Sequence, residues 1–444
     1  MAKKRSLNPL STVKNYLVPD TGFTMGASAP TKNLSEINDR FLGSFPSMRS
    51  GKSFIGLSMA AMKSVPKFGV ITAWVACPED QCDPANDSDQ DQIEKLFQAA
   101  TIIDPLVRNK KGMWGALDTR TLGCFFPGKD QKVCEAIAAQ MRYDLSGIGK
   151  ESVLMGIADY PANGFLKGQV LDNAKKALME ARMTGPGSII SFNPVSLNIS
   201  GDELYEKGEI DWAVQEFKMA LIMDPVNLNV INSLGVCYGV LGLYKEALDE
   251  FKKAIKIDPA QIMAIYNAGF VCARMKDHLT ALDYFRKAES IGQNVFEVSF
   301  QMGKLHLEMG NPEKGRDCFE KAAKERPEHV ATSFCLGECY AATGMPDEAA
   351  LCYKKAVKTN PGDARSLSAL GHLYETYGKN LDIAEMFCKE SVKISPENGL
   401  FRHRLGRIYF HQKRFENALA EFKKAGELGH DSIKEIEKIK GGGK

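Results

Sequence analysis

The sequence predicts a multidomain α+β protein, in which an α/β sheet domain is followed by an all-α superhelix of stacked helical pairs. Two observations carry this. Strand-like and helix-like segments alternate between residues 68 and 192, which implies one sheet with helices packed on it. From residue 194 onward a 34-residue pattern recurs, and regular repeats of that length mean stacked helical units.

At 444 residues the chain has room for two or three domains. A net charge of +2 gives no electrostatic case for nucleic acid. No run of about eighteen apolar residues occurs, so no membrane span is expected. The start, MAKKRSLNPL, is basic but has no apolar core behind it, so export is not expected. The eleven cysteines are scattered rather than framed as disulfides, which suits a reducing, cytoplasmic setting. Residues 1–41 lack periodicity and read as a disordered basic leader. Across residues 1–67 there are ten Lys/Arg against Asp20, Glu36 and Asp39. Such an arm can touch phosphate or acidic protein, and otherwise it is simply solvated.

Residues 42–193 form the sheet domain. Phe68 to Cys77 is rich in β-branched and aromatic residues and reads as a strand. Gln90 to Ile103 reads as a helix, with Ile93, Leu96, Phe97 and Ala100 on one face. Leu122 to Phe126 is a short strand stopped by Pro127-Gly128, and Gln131 to Tyr143 is a second helix. Ser152 to Ala158 (strand), Gln169 to Met183 (helix, ended by Gly185-Pro186-Gly187) and Ile189 to Phe192 (strand) complete it.

This order, with SVLMGIADYP (Ser152 to Pro161) and NAKKALMEARMTGPGSIISF (Asn173 to Phe192), resembles the GGDEF domain of diguanylate cyclases. Phe45 to Phe54 is faintly similar to that family's Leu-Pro-Asn-Arg stretch. The resemblance implies a nucleotide-condensing fold whose first metal-bridging carboxylates would stand at Trp74 and Ala76. Its signature turn would fall at Asp118-Thr119-Arg120-Thr121-Leu122. Neither acid and neither glycine of that turn is in place, and Arg120 puts a positive charge where the metal-facing acid belongs. The product-binding Arg-x-x-Asp element, due near Asn109 to Gly112, is missing, with Arg108 one residue out of register. The expectation is a degenerate domain with no catalytic residues, no cofactor and no metal, used for docking or homodimerisation. The alternative is a sensor that still holds GTP or cyclic di-GMP.

Gly51-Lys52-Ser53 ends like a phosphate loop but lacks the upstream glycine and strand, so it reads as chance. Cys77 with Cys82, or Cys335 and Cys339 with Cys352, lacks the second pair that zinc prefers. Most cysteines fall at repeat positions that should be buried.

The repeats span residues 194–432, as copies at 194–227, 228–261, 262–295, 296–329, 330–363, 364–398 and 399–432. Gly235, Gly269, Gly303, Gly337 and Gly371 lie one period apart, followed by small residues at Ala247, Ala281, Gly315, Ala349 and Ala384. Phe251, Phe285, Phe319 and Tyr353 recur next, and Pro225, Pro259, Pro327, Pro361 and Pro396 close most copies. The pattern resembles the tetratricopeptide repeat (TPR). Residues 433–444, with Ile433, Ile436 and Ile439 among charges, read as a capping helix and tail.

Helix-A positions 2, 5, 9 and 12 line the concave groove in that family. Here they supply Asn232, Tyr266, Phe270, Phe300, Lys304, Phe334, Glu338, Arg365, His372, His403 and Arg407 as candidate partner-binding residues. An aromatic run flanked by polar groups is a peptide groove in waiting, or else packs on neighbouring helices. The expected function is a scaffold or adaptor, not an enzyme, that binds a peptide or helix of a protein partner.

Overall fold

The computed structural model describes residues 41–441 apart from 42, 47, 76–88, 148–152, 163, 293–294 and 379. The leader up to residue 40, Ala76, Cys77 and Cys82 lie outside the described residues. The chain falls into two compact units, one ending at Pro259 and one beginning at Ala260.

The first unit opens with α1 (Gly51–Met62), β1 (Phe68–Val75), α2 (Asp89–Asn109), β2 (Met113–Ala116) and β3 (Thr121–Pro127). It continues with α3 (Gln131–Asp144), β4 (Val153–Tyr160), α4 (Val170–Thr184) and β5 (Ile189–Ser191). The sheet order is β2-β3-β1-β4-β5. β1 runs antiparallel to both β3 and β4, and β5 is parallel to β4. The β-α-β-β-α-β core is thus a split βαβ arrangement with one added edge strand.

Alternation along β1 sends Ile71, Ala73 and Val75 to one face and Phe68 and Val70 to the other. The first face is covered by Leu96, Ala100, Ile103 and Val107 of α2 and by Ile137, Ala138 and Met141 of α3. Phe41, placed in the leader by sequence, is fully buried there, edge-on to Phe97. The other face takes α1 and α4. A Cβ at Gly156 would lie 2.1 Å from the Ala174 carbonyl, so that glycine lets α4 sit directly on the sheet. The Thr72 hydroxyl meets the same carbonyl at 3.0 Å.

Two elements escaped the sequence reading. α1 begins at Gly51, so Gly51-Lys52-Ser53 is a helix start against the sheet edge. β2 is only four residues long and pairs with β3 as a hairpin. The helix expected over Gln90 to Ile103 runs on to Asn109 through Pro105.

The first unit also holds α5 (Pro194–Glu206), α6 (Ile210–Met223), α7 (Leu228–Val240) and α8 (Tyr244–Ile257). Asn193 caps α5 by accepting from the Val195 and Ser196 amides, and its own amide donates to Glu180 of α4 at 3.0 Å. Ser196 donates to the same carboxylate oxygen at 2.6 Å. Helix α4 of the sheet layer therefore packs as the neighbour of the first helical pair.

The second unit carries α9 (Ile262–Arg274), α10 (His278–Ile291), α11 (Val295–Glu308), α12 (Pro312–Glu325), α13 (Val330–Ala342) and α14 (Pro346–Thr359). α15 (Ala364–Thr376), α16 (Leu381–Ile394), α17 (Gly399–His411), α18 (Phe415–Glu427) and α19 (Ile433–Gly441) follow.

One contact recurs in every pair but the sixth. The helix-A glycine lies against the ring on helix B, and a Cβ at Gly235 would stand 2.6 Å from Phe251. Gly269 meets Phe285 and Gly337 meets Tyr353 in the same way. In the sixth copy, which carries one extra residue, Cys388 replaces the ring and faces Gly371. The A-to-B turn needs a left-handed residue. Gly208, Gly242, Gly310, Gly344 and Gly378 provide it, and Lys276 and Lys413 adopt it at φ 65° and 61°. α19 closes the array, with Ile436 and Ile439 packed on the cluster around Tyr409 and Phe422, and Ile433 left exposed.

Candidate functional site

In the second unit, the helices A named α11, α13, α15 and α17 carry aromatic or charged side chains along the stripe of positions 2, 5, 9 and 12. On α11, Phe300 is half-buried, stacked on Phe296 at 5.9 Å and edge-on to His329 at 5.2 Å. Its ring also rests on the core ring of Phe319 at 5.6 Å. Lys304, one turn further along α11, has no ion pair among the described residues. On α13, Phe334 is half-buried against Tyr353 at 5.8 Å, and the Arg365 guanidinium lies 5.2 Å over its ring. Cation–π contacts of this kind contribute about 0.5–1 kcal/mol when exposed. The Tyr353 hydroxyl donates to Glu338 at 2.5 Å. Burial, then the charge of Glu338, raises that phenol well above its usual range.

On α15 and α17 the stripe is ionic. Glu375 has a side chain only 2 % exposed, yet it receives Arg407 at 2.9 Å and His411 at 2.9 Å on one oxygen. His372 approaches the other oxygen at 3.1 Å. Burial opposes the Glu375 charge, but the His372 hydrogen bond and the charges of Arg407, His372 and His411 outweigh it and hold the carboxyl below its ordinary value. Arg404 donates to Ser368 at 3.1 Å. His403 bonds to Ser432 at 2.8 Å and faces His430, with ring centroids 4.5 Å apart.

The structure thus brings Phe334 to Arg365, and Arg407 to His372 through Glu375. Phe270 is half-buried on α9. Two expected groove residues are corrected. Tyr266 is buried at 3 % exposure, its ring tilted on Phe285 at 5.6 Å, and Asn232 is likewise 3 % exposed. Both lie within the packing of their units rather than open on a groove surface. Sequence reasoning missed Arg404 and His411. The spacing His403, Arg407, His411 places all three on one helical face, and that signal was available.

At the sheet, Trp74 pairs with Thr121 across β1 and β3, so the two positions singled out by sequence do meet. Trp74 packs against Leu154, Leu178 and Ala181, with the Arg182 guanidinium 5.0 Å over its ring. Asp118 accepts the Arg120 amide at 2.8 Å and so shapes the hairpin turn. Among the described residues no three His, Cys, Asp or Glu side chains converge to hold a metal ion. Burial pushes the Cys335 and Cys352 thiols up to about 11 and Cys339 to about 12, as for inert core cysteines. No helix among the described residues is long and apolar enough to cross a membrane.

Residues 300–364 match a sequence model of the tetratricopeptide repeat, and residues 228–261 and 401–428 match a second model of the same description. No curated protein matches the chain. Among solved structures, the chain is similar to a tetratricopeptide repeat protein from Parabacteroides merdae at 20 % identity and a TM-score of 0.45, covering 55 % of this chain and 98 % of that one. It is similar to Pseudomonas aeruginosa pilF at 18 % identity and a TM-score of 0.44, covering 50 % and 97 %. A third similar structure is YrrB, described as a TPR protein with an unusual peptide-binding site, at 21 % identity and a TM-score of 0.39, covering 45 % and 99 %. Residues 228–261, 300–364 and 401–428 of this chain are tetratricopeptide repeats, a class of element that generally mediates protein–protein interaction.

Proposed function

We propose that the chain is a protein–protein interaction scaffold whose second unit binds a peptide or helix of a partner along the helix-A stripes. The carrying observation is the pairing of half-buried rings with cations on one surface, namely Phe300 beside Lys304 and Phe334 under Arg365. Such a surface takes an apolar anchor together with an acidic side chain. Phe270, Glu338, His372, His403 and Arg407 extend it. The sheet domain, which lacks the carboxylates that a nucleotide-condensing relative needs, serves as a docking or self-association layer.

The test is affinity capture from the native cell with the full chain and with Lys304→Glu/Arg365→Glu, followed by identification of the retained proteins. Neither side chain is buried in the core, so the fold should persist, with a modest drop in melting temperature from the lost Arg365 contacts to Phe334 and Asp363, while the specific partner is lost. Retention of every partner by the double variant rejects this reading.

A further inference from the structure

The outer face of α6 is apolar where a solvated face is expected. Helix α6 packs on its own repeat through Ala213, Phe217 and Ala220, all fully buried. On its other side stand Trp212, Gln215, Met219 and Ile222, with Val226 in the turn that follows. Trp212 is 67 % exposed, Ile222 65 % and Val226 62 %. Met219 is half-buried. A single exposed apolar residue is ordinary, but a line of them along one helix marks an interaction surface.

The other repeats supply the comparison, because each places its own residue at the same position of helix B. Where the first copy has Met219, later copies have Lys253, Lys287, Lys321 and Lys355, all exposed. Where it has Ile222, they have Lys256, Lys324, Lys358 and Lys393. Where it has Trp212, they have Glu246, Thr280, Lys314 and Glu348. In the sixth copy Ile383 and Met386 begin such a line, but Glu390 and Lys393 break it. The repeat fold therefore has no need of apolar residues here, and only the first copy carries the full stripe.

We propose that this stripe is the dimer contact of the protein, covered by the α6 of a second copy running antiparallel across a two-fold axis. Three features select this occupant. The spacing 212, 215, 219, 222, 226 alternates three and four residues, which is the seam of a helix that packs lengthwise on another helix. In the antiparallel register that sets Met219 of each copy against Ile222 of the other, Glu216 falls beside Met223 and Lys218 beside Pro225, so no like charges oppose each other. The charges that flank the stripe are also engaged within the chain, since Glu216 holds Lys176 at 2.7 Å and Lys218 lies 5.8 Å over the Tyr238 ring. What the stripe offers is apolar surface in a self-complementary order. Helix α6 has 14 residues, so the strip is about 20 Å long and 10 Å across. That falls short of the about 800 Å² per partner of a standard interface, so the dimer is weak and depends on concentration. This proposal does not rest on the reading of the second unit.

The experiment follows the full chain by sedimentation velocity from low to high micromolar concentration. Wild type should pass from monomer to dimer over that range. Trp212→Glu/Ile222→Glu should raise the dissociation constant about tenfold or more, with an unchanged far-UV spectrum, because both side chains are exposed. A second arm keeps the wild-type surface almost intact. Met219→Cys treated with a short bismaleimide should give a covalent dimer in high yield, whereas Lys253→Cys, the same position one repeat later, and wild type should not. A chain that is monomeric throughout overturns the proposal, and the stripe then belongs to a different protein. Dimers unaffected by the double variant, or equal cross-linking at positions 219 and 253, overturn it as well and place self-association elsewhere.

Discussion

Lys176 of α4 and Glu216 of α6 form an ion pair at 2.7 Å, each side chain 19 % exposed, across the junction between the sheet layer and the first helical pair. The second Glu216 oxygen is buried and has no hydrogen-bond partner among the described residues, so Lys176 is the main compensation for that carboxylate. A pair this sheltered matters most when it is broken on one side. Lys176→Met should destabilise the first unit by about 1–2 kcal/mol in urea unfolding, more than a surface pair contributes. Adding Glu216→Gln should recover part of the loss. A Lys176→Met chain with unchanged stability shows that the junction does not depend on this pair.

Gly235→Ala should destabilise the array by about 1–3 kcal/mol, because the new methyl lands within 2.6 Å of the Phe251 ring in a closed helix pair. The sixth copy offers a control. At Gly371 the obstructing atom is chiefly the Cys388 sulfur, at 2.5 Å, so Gly371→Ala should be less harmful in a Cys388→Ala background. Denaturant midpoints of the four chains give the comparison. Equal penalties in both backgrounds mean that the Ala384 carbonyl, 3.0 Å away, sets the limit instead.

The A-to-B turns of the third and seventh copies place Lys276 and Lys413 in the left-handed region, at φ 65° and 61°. A side chain there costs about 1 kcal/mol relative to glycine. Lys276→Gly and Lys413→Gly should each raise stability by up to about 1 kcal/mol, less the extra entropy of glycine in the unfolded chain. Thermal melts of each variant read this directly, and a lower melting point contradicts it.

Burial, then the charge of His430, holds the His403 imidazole below its ordinary value of 6.5. As pH falls through that value, the unfolded chain takes up a proton that the folded site resists, so stability should drop between pH 7.5 and 5.5. Glu375 has the opposite sign. Its lowered carboxyl contributes stability that is fully present above the unfolded carboxylate range and is lost only as pH falls below it. His403→Gln should therefore flatten the slope between pH 7.5 and 5.5 and leave the acid limb in place. An unchanged slope in that window assigns it to His329 and His306, which burial also depresses.

Much of the array could be read from residue spacing, because its packing is local. Gly235 and Phe251 sit sixteen residues apart in one helix pair, and the same contact returns with each period. The groove was less legible. Tyr266, Phe300 and Phe334 share one repeat position, yet Tyr266 is buried while the other two are half-buried. Ring depth is set by what the following repeat places alongside, which is tertiary information. In the sheet domain β1 declared itself through its β-branched run. α1 hid because Gly51, Gly56 and its serines weaken any helical stripe, and it is held by Phe54 lying over Gly115. β2 hid because four residues, MWGA, carry too little alternation to register.

A helical solenoid whose terminal pair is bare offers the next chain a surface like the one its own repeats use, and such head-to-tail joining has no natural stopping point. Here the first pair is occupied by α4 of the sheet layer, and the last is occupied by α19 through Ile436 and Ile439. Both stacking surfaces are used within the chain. Joining another chain through either of these two surfaces would first require α4 or α19 to come away.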